Sequence, residues 1–128
     1  MVSVKPIIAV VDDEWSVRVM LGRVLRLADY RVVAFSRGED FLASLETRPP
    51  ACAILDLHMP EMSGFDVQIS LLRAKVRVPV VFITASDDPT LDDTARQLNV
   101  TRVLRKPFSS DELLAAVGAA LSAREAAL

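Results

Sequence analysis

The sequence predicts an α/β protein: an open, doubly wound parallel sheet of five strands with five helices. Two observations lead there. Short apolar runs alternate with segments of helical period, strand then helix, five times over. Such alternation gives a parallel sheet with right-handed crossovers and helices on both faces. With 128 residues, the chain is also too short to close the same alternation into an eight-stranded barrel. A hydrophobic content of 52% supplies the core that such a sheet must bury, and it excludes a disordered chain.

The predicted strands are residues 6–11, 31–35, 51–55, 78–84 and 102–104. They are near-continuous in Val, Ile and Ala, the pattern of strands buried on both faces. Val17, Met20, Leu21, Val24, Leu25 and Ala28 recur at helical spacing and form the stripe of the first helix. Ser36 with Glu39 makes a capping-box pattern ahead of Phe41, Leu42 and Leu45. Ser63 can cap a third helix carrying Phe65, Ile69 and Leu72. Residues 89–98 are the weakest helix, with Leu91, Ala95 and Leu98 beside the acidic pair Asp92–Asp93, and Asp88–Pro89 opens it. Ser109 with Glu112 repeats the capping box before Leu114, Val117 and Leu121. The Ala-rich stretch 115–127 continues as helix.

Composition removes several classes of function. The net charge is −2, and Lys and Arg are scattered along the chain, so no nucleic-acid footprint is visible. The opening "MVSVKPIIAVV" has too short an apolar run for a signal peptide or a membrane span. The single cysteine, Cys52, excludes a disulfide framework, fits a reducing compartment and reads as a small core hydrophobe.

In a doubly wound sheet, ligands bind at the carboxyl ends of the strands. Strand 1 ends in "VVDDE", with Asp12 and Asp13; strand 3 ends in Asp56; strand 4 ends in Thr84; strand 5 runs into "RKPF", with Lys106 and Pro107. The fold would bring three carboxylates, one hydroxyl and one ammonium to a single edge. Like charges at that range repel in a partly desolvated site. A raised carboxyl pKa or a bound cation relieves the repulsion. All-oxygen donors suit Mg²⁺, and no His/Cys set exists for zinc. Mg²⁺ beside an aspartate nucleophile, a lysine and a hydroxyl is a phosphoryl-transfer constellation.

The stretches "VVDDE", "LDLHMPEMSGFD", "PVVFITASDD" and "RKPF", in that order, resemble the receiver domain of two-component response regulators, the CheY-like superfamily, over essentially the whole chain. "SGFD", "VFITA" and "EDFLASL" lean toward its FixJ-like branch. The resemblance implies a flavodoxin-like strand order 2-1-3-4-5. It implies that Asp56 accepts a phosphoryl group from a histidine kinase or a histidine phosphotransfer protein. Asp13 and Asp56 would ligate Mg²⁺ (or Mn²⁺) with the backbone carbonyl of His58, and Asp12 would act largely through water. Lys106 would pair with the phosphate, the Lys106–Pro107 bond would be cis, and Thr84 would be the switch hydroxyl. Met59, Pro60 and Gly64 would shape the loop around Asp56. The responding surface would be helix 4, strand 5 and helix 5, used for partner binding or a homodimer. Such a domain is no enzyme beyond its own phosphorylation and dephosphorylation. It is cytoplasmic and touches neither nucleic acid nor membrane.

Three departures stand out. The family usually places Tyr or Phe three residues before the lysine, and this chain has Val103. Where Gly-Ala is common before strand 5, it has Asn99–Val100, although Asn tolerates a left-handed helix end. Helix 4 is unusually polar. These departures point to an altered active-state surface or to a domain that relays phosphate rather than driving a large switch, and Val103 keeps a pseudo-receiver, a protein-interaction module never phosphorylated, as the alternative. An aspartate-nucleophile Mg²⁺-dependent phosphatase is a further rival, opposed by His58 standing where the leaving-group acid belongs. Residues 1–128 read as one receiver domain with no output domain, either stand-alone or cut after helix 5. Trp15 either flanks the pocket or is an ordinary half-buried tryptophan.

Overall fold

The computed structural model describes residues 4–126. It has β1 (Ile7–Val11), α1 (Trp15–Leu27), β2 (Arg31–Phe35), α2 (Gly38–Ser44), β3 (Cys52–Asp56), α3 (Gly64–Arg73), β4 (Val80–Thr84), α4 (Thr90–Gln97), β5 (Val103–Arg105) and α5 (Ser110–Ala126). The strands are all parallel in the order β2-β1-β3-β4-β5. Ala127, the end of the Ala-rich stretch, lies outside the described residues.

Alternation along each strand divides the core. Ile8, Val10, Cys52, Ile54, Val81 and Ile83 face α1 and α5, meeting Leu21, Leu25, Leu113 and Val117. Ala9, Val11, Ala53, Leu55 and Phe82 face α2, α3 and α4, meeting Phe41, Val67, Leu71 and Ala95. Fully buried Ile, Leu and Phe side chains such as these contribute about 1.5–3 kcal/mol each relative to exposure.

Only β1, β3 and β4 have the double burial read from the apolar runs. β2 and β5 are the sheet's edges: Arg31, Val33 and Ala34 are exposed, and all three residues of β5 are half-buried. Strand order decides that, and composition does not carry it. The predicted starts of β1, β3, β4 and β5 run early by one or two residues, and that of β2 coincides. Pro6, Pro79 and Arg102 still accept ladder-like bonds from Arg31 (3.0 Å), Ala53 (2.9 Å) and Phe82 (3.1 Å).

Some helix faces and caps differ from the pattern. Met20 is 41% exposed, outside the buried row of Leu21, Gly22 and Leu25. In α3 the buried row is Gly64, Val67, Gln68 and Leu71, and Leu72 is exposed. The polar Gln68 hid this row; its side-chain N–H donates to the Leu98 carbonyl at 2.8 Å. Phe65 is half-buried and packs edge-on against Phe82, with ring centroids 5.2 Å apart. The Ser36–Glu39 box does not form. α2 starts after Arg37, whose guanidinium takes Glu39 (2.6 Å) and Glu61 (2.9 Å) instead. The boxes at Ser63–Asp66 and Ser109–Glu112 both form. Asn99 ends α4 in the left-handed region at φ 64°. Among the described residues no helix is long and apolar enough to cross a membrane.

Candidate functional site

Asp12 and Asp13 follow β1, Asp56 ends β3, Thr84 ends β4 and Lys106 follows β5. The parallel sheet brings these strand ends to one edge. One carboxylate oxygen from each of Asp12, Asp13 and Asp56 can lie within 4.8 Å of the others. Asp12 and Asp56 are buried and Asp13 is exposed, so the cluster opens to solvent on the Asp13 side.

Each carboxylate is held differently. Asp12 has both oxygens committed: Oδ1 accepts from the Glu14 N–H at 2.9 Å and Oδ2 from Lys106 Nζ at 3.2 Å. Its backbone carbonyl accepts from the Arg18 guanidinium at 2.8 Å. Asp56 uses Oδ1 alone, accepting from the His58 N–H at 3.2 Å. Lys106 Nζ stands 4.0 Å from that oxygen, so the lysine sits nearer Asp12. Burial, then the charge of Asp12, pushes the Asp56 carboxyl up from 3.8 to about 6; the His58 N–H and Lys106 oppose the shift, and Asp13 adds to it. An aspartate destabilised as an anion by its neighbours is one that gains from a cation or from conversion to an acyl group.

The donor set suits a hard dication. It is all oxygen, and ligands about 2.1 Å from one Mg²⁺ lie about 3–4 Å apart. A small closing of the cluster reaches that spacing.

The backbone under Asp56 is fixed from several sides. The Leu57 N–H donates to the Ile83 carbonyl at 2.9 Å, and the Gly64 N–H donates to the Leu57 carbonyl at 3.4 Å. A Cβ on Gly64 would lie 2.6 Å from the Asp56 carbonyl oxygen, so only glycine lets α3 start this close to β3. The Ser63 hydroxyl and the Asp66 carboxylate then cap α3 reciprocally at 3.1 and 3.0 Å. In the loop between, Glu61 adopts φ 69° and the Pro60 carbonyl accepts from the Met62 N–H at 2.7 Å. Met59 is buried, while the His58 and Pro60 side chains face solvent.

Thr84 is fully buried, and its Oγ1 accepts from the Ser86 N–H at 3.0 Å. The Thr84 carbonyl accepts from the Lys106 N–H at 2.8 Å, and the Lys106–Pro107 peptide is cis. Val103 pairs with Phe82 and packs, half-buried, on the face that carries α4. Trp15 is 71% exposed, which settles it as a surface residue rather than a half-buried one.

Reading residues at strand ends missed Arg105. Its Nη2 donates to the Asp88 carbonyl and to Asp92 Oδ2, both at 2.9 Å, tying β5 to the start of α4. The hydrogen bond from Arg105 holds the Asp92 carboxyl below the usual range. Arg105 stands in the quoted "RKPF", but nothing in its spacing points to a partner 13 residues away. Arg18 was also missed; it lies one helical turn into α1, six residues from the Asp12 carbonyl it binds.

The fold agrees with that of known proteins. The response regulator receiver domain family model matches residues 8–118. The chain is 36% identical to nodulation protein W of Bradyrhizobium diazoefficiens over 92% of its own length and 52% of that protein's. It spans about half the length of the curated relatives it matches. Among solved structures, a response regulator receiver protein from Burkholderia phymatum superposes with a TM-score of 0.83 at 38% identity, covering 92% of this chain and 96% of that one. FixJ-N superposes with a TM-score of 0.86 at 27% identity, covering 94% and 96%. Five parallel strands in this order, an acidic cluster at their carboxyl ends and a family match across most of its length make the chain a member of the response regulator receiver domain family of two-component systems.

Proposed function

We propose that Asp56 is the phosphoryl acceptor of this receiver, with a histidine kinase or a histidine phosphotransfer protein as donor. The single observation that carries the reading is the cluster itself. A buried aspartate, made costly as an anion, lies beside two further carboxylates and one lysine.

In the reaction an Asp56 carboxylate oxygen bonds to the phosphorus of the donor's phosphoimidazole. The P–N bond breaks, and its electron pair leaves on the imidazole nitrogen, which takes a proton. Asp13, Asp56 and the His58 carbonyl would hold Mg²⁺ (Mn²⁺ has the same preferences), with Asp12 acting through water. When bound, the ion offsets the charge of the phosphoryl oxygens. Lys106 is already poised between Asp12 and Asp56 to receive a phosphoryl oxygen. The Thr84 hydroxyl, which accepts from Ser86, keeps its own proton to donate. Asp12, with both oxygens committed, orients the lysine.

We read residues 1–128 as one receiver domain, near the FixJ-like branch and cytoplasmic. Its α4–β5–α5 surface carries the response to partners or to a second copy, and it binds neither nucleic acid nor membrane itself. It acts on no substrate beyond its own acyl phosphate.

The test is intact mass after incubation with acetyl phosphate and Mg²⁺. One phosphate adduct is expected, absent without Mg²⁺ and absent in Asp56→Asn. Mg²⁺ binding with no adduct from acetyl phosphate or from a phosphohistidine donor would instead establish the pseudo-receiver, the reading that Val103 favours.

A further inference from the structure

We propose that Arg105 is a positioning residue: it closes a ring of hydrogen bonds that ties the Thr84 hydroxyl to the first turn of α4, so that movement of Thr84 is delivered to that helix. The inference rests on the phosphoacceptor reading of Asp56.

The ring can be followed atom by atom. Thr84 Oγ1 accepts from the Ser86 N–H at 3.0 Å. Ser86 Oγ accepts from the Asp88 N–H at 3.2 Å. Asp88 Oδ1 accepts from the N–H and the hydroxyl of Thr90, at 2.9 and 2.8 Å, where α4 begins. The Asp88 carbonyl accepts from Arg105 Nη2 at 2.9 Å. Arg105 also grips Asp92 through Nη2 and Nη1, at 2.9 and 3.4 Å. The return link is the sheet, because Arg105 is the registered partner of Thr84 across β4 and β5.

A half-exposed Arg–Asp pair alone carries little. Two features lift this one above that level. The guanidinium also holds a backbone carbonyl, which fixes the path of the chain rather than a mobile side chain. It does so with a planar fork, whose donors keep a set angle between the two acceptors. A lysine ammonium, a point charge on a flexible stem, has no such fork.

The ring matters because Val103 offers no large rotamer to turn inward behind Thr84. In the ring, each side-chain link is polar, and Arg105 Nη2 joins two of them. When the Thr84 hydroxyl turns toward a phosphoryl oxygen, the Ser86 N–H follows it, and Asp88 follows Ser86. The Asp88 carbonyl then moves against Arg105, and Arg105 carries Asp92 with it. The first turn of α4 shifts as one piece.

The test is hydrogen exchange across Ser86–Asp93 of the full chain, with and without acetyl phosphate and Mg²⁺, with the mass adduct read on the same samples. Wild type is expected to take the adduct and change exchange in this segment. Arg105→Ala is expected to take the same adduct and lose the change. Arg105→Lys, which keeps the charge without the fork, is expected not to restore it. A wild type left unphosphorylated both by acetyl phosphate and by a phosphohistidine donor would sink the phosphoacceptor reading itself. With the adduct present, three results would overturn the ring: no exchange change in wild type, a normal change in Arg105→Ala, or full restoration by lysine. If Arg105→Ala does not fold, Ser86→Ala cuts the ring elsewhere. A lost response then supports the ring and a normal one refutes it.

Discussion

The β3–α3 half of the molecule and the β4–α4–β5 half are built to different standards. β3 is buried along its whole length, and Asp56 at its end is clamped by ladder bonds and by the close approach of Gly64. α3 has a complete capping box. Across the sheet, β5 is three half-buried residues, α4 is eight residues of mostly polar character, and the link between them is the Arg105 fork at the surface. The proposed acceptor thus sits where the backbone cannot yield, and the proposed responding surface sits where displacement disturbs little apolar packing. A receiver needs both, because geometry at the acceptor governs the chemistry while small differences in packing govern the population shift.

The largest break in this contrast is expected at Gly64. Gly64→Ala forces a Cβ against the Asp56 backbone and should cost about 3 kcal/mol of stability, as overpacking does. Gly118→Ala in α5 is the matched control: nothing lies within 4 Å of its Cβ, so it should stabilise by about 0.5–1 kcal/mol. Thermal or urea unfolding of the two variants reads both effects. A harmless Gly64→Ala would mean that the rigid half is not rigid.

A smaller effect concerns pH. The Asp56 carboxyl is raised from 3.8 to about 6, so between those values the folded state holds a proton that the unfolded chain releases. Stability without divalent cations should therefore be fullest below pH 4 on this account and fall as pH rises through 6. The change is on the order of 3 kcal/mol. Asp56→Asn should flatten that slope, and Mg²⁺ should oppose it by favouring the ionised carboxylate. Urea unfolding at several pH values in chelator, with wild type and Asp56→Asn side by side, checks the sign.

The smallest effect separates a made cap from an unmade one. Ser63→Ala should cost about 1 kcal/mol, whereas Ser36→Ala, which removes no cap bond, should change stability by less than about 0.5 kcal/mol. Equal costs would contradict the Arg37 grip that starts α2.

The strand ends explain why so much of the candidate site was legible. Asp12, Asp13, Asp56, Thr84 and Lys106 each follow an apolar run, and a parallel sheet aligns such ends without further information. Asn99 was legible because few side chains accept a left-handed helix end. What stayed hidden depends on lateral order and rotation. The exposure of β2 follows from its edge position, and the turn of α3 that buries Gln68 and exposes Leu72 follows from the Gly64 contact. Arg105 was hidden because its partners belong to another element, and charge alone does not reveal where a long side chain will reach.

Cys52 lies in β3 with no exposed surface, and burial pushes its thiol up to about 12. Since the thiolate is the reacting form, burial shields the Cys52 thiol from oxidants and alkylating reagents at neutral pH while the chain is folded. The only thiol in the sequence thus sits in the strand that ends at Asp56. A label on it would count the moments when that strand leaves the sheet, giving a clock for opening of the clamped half.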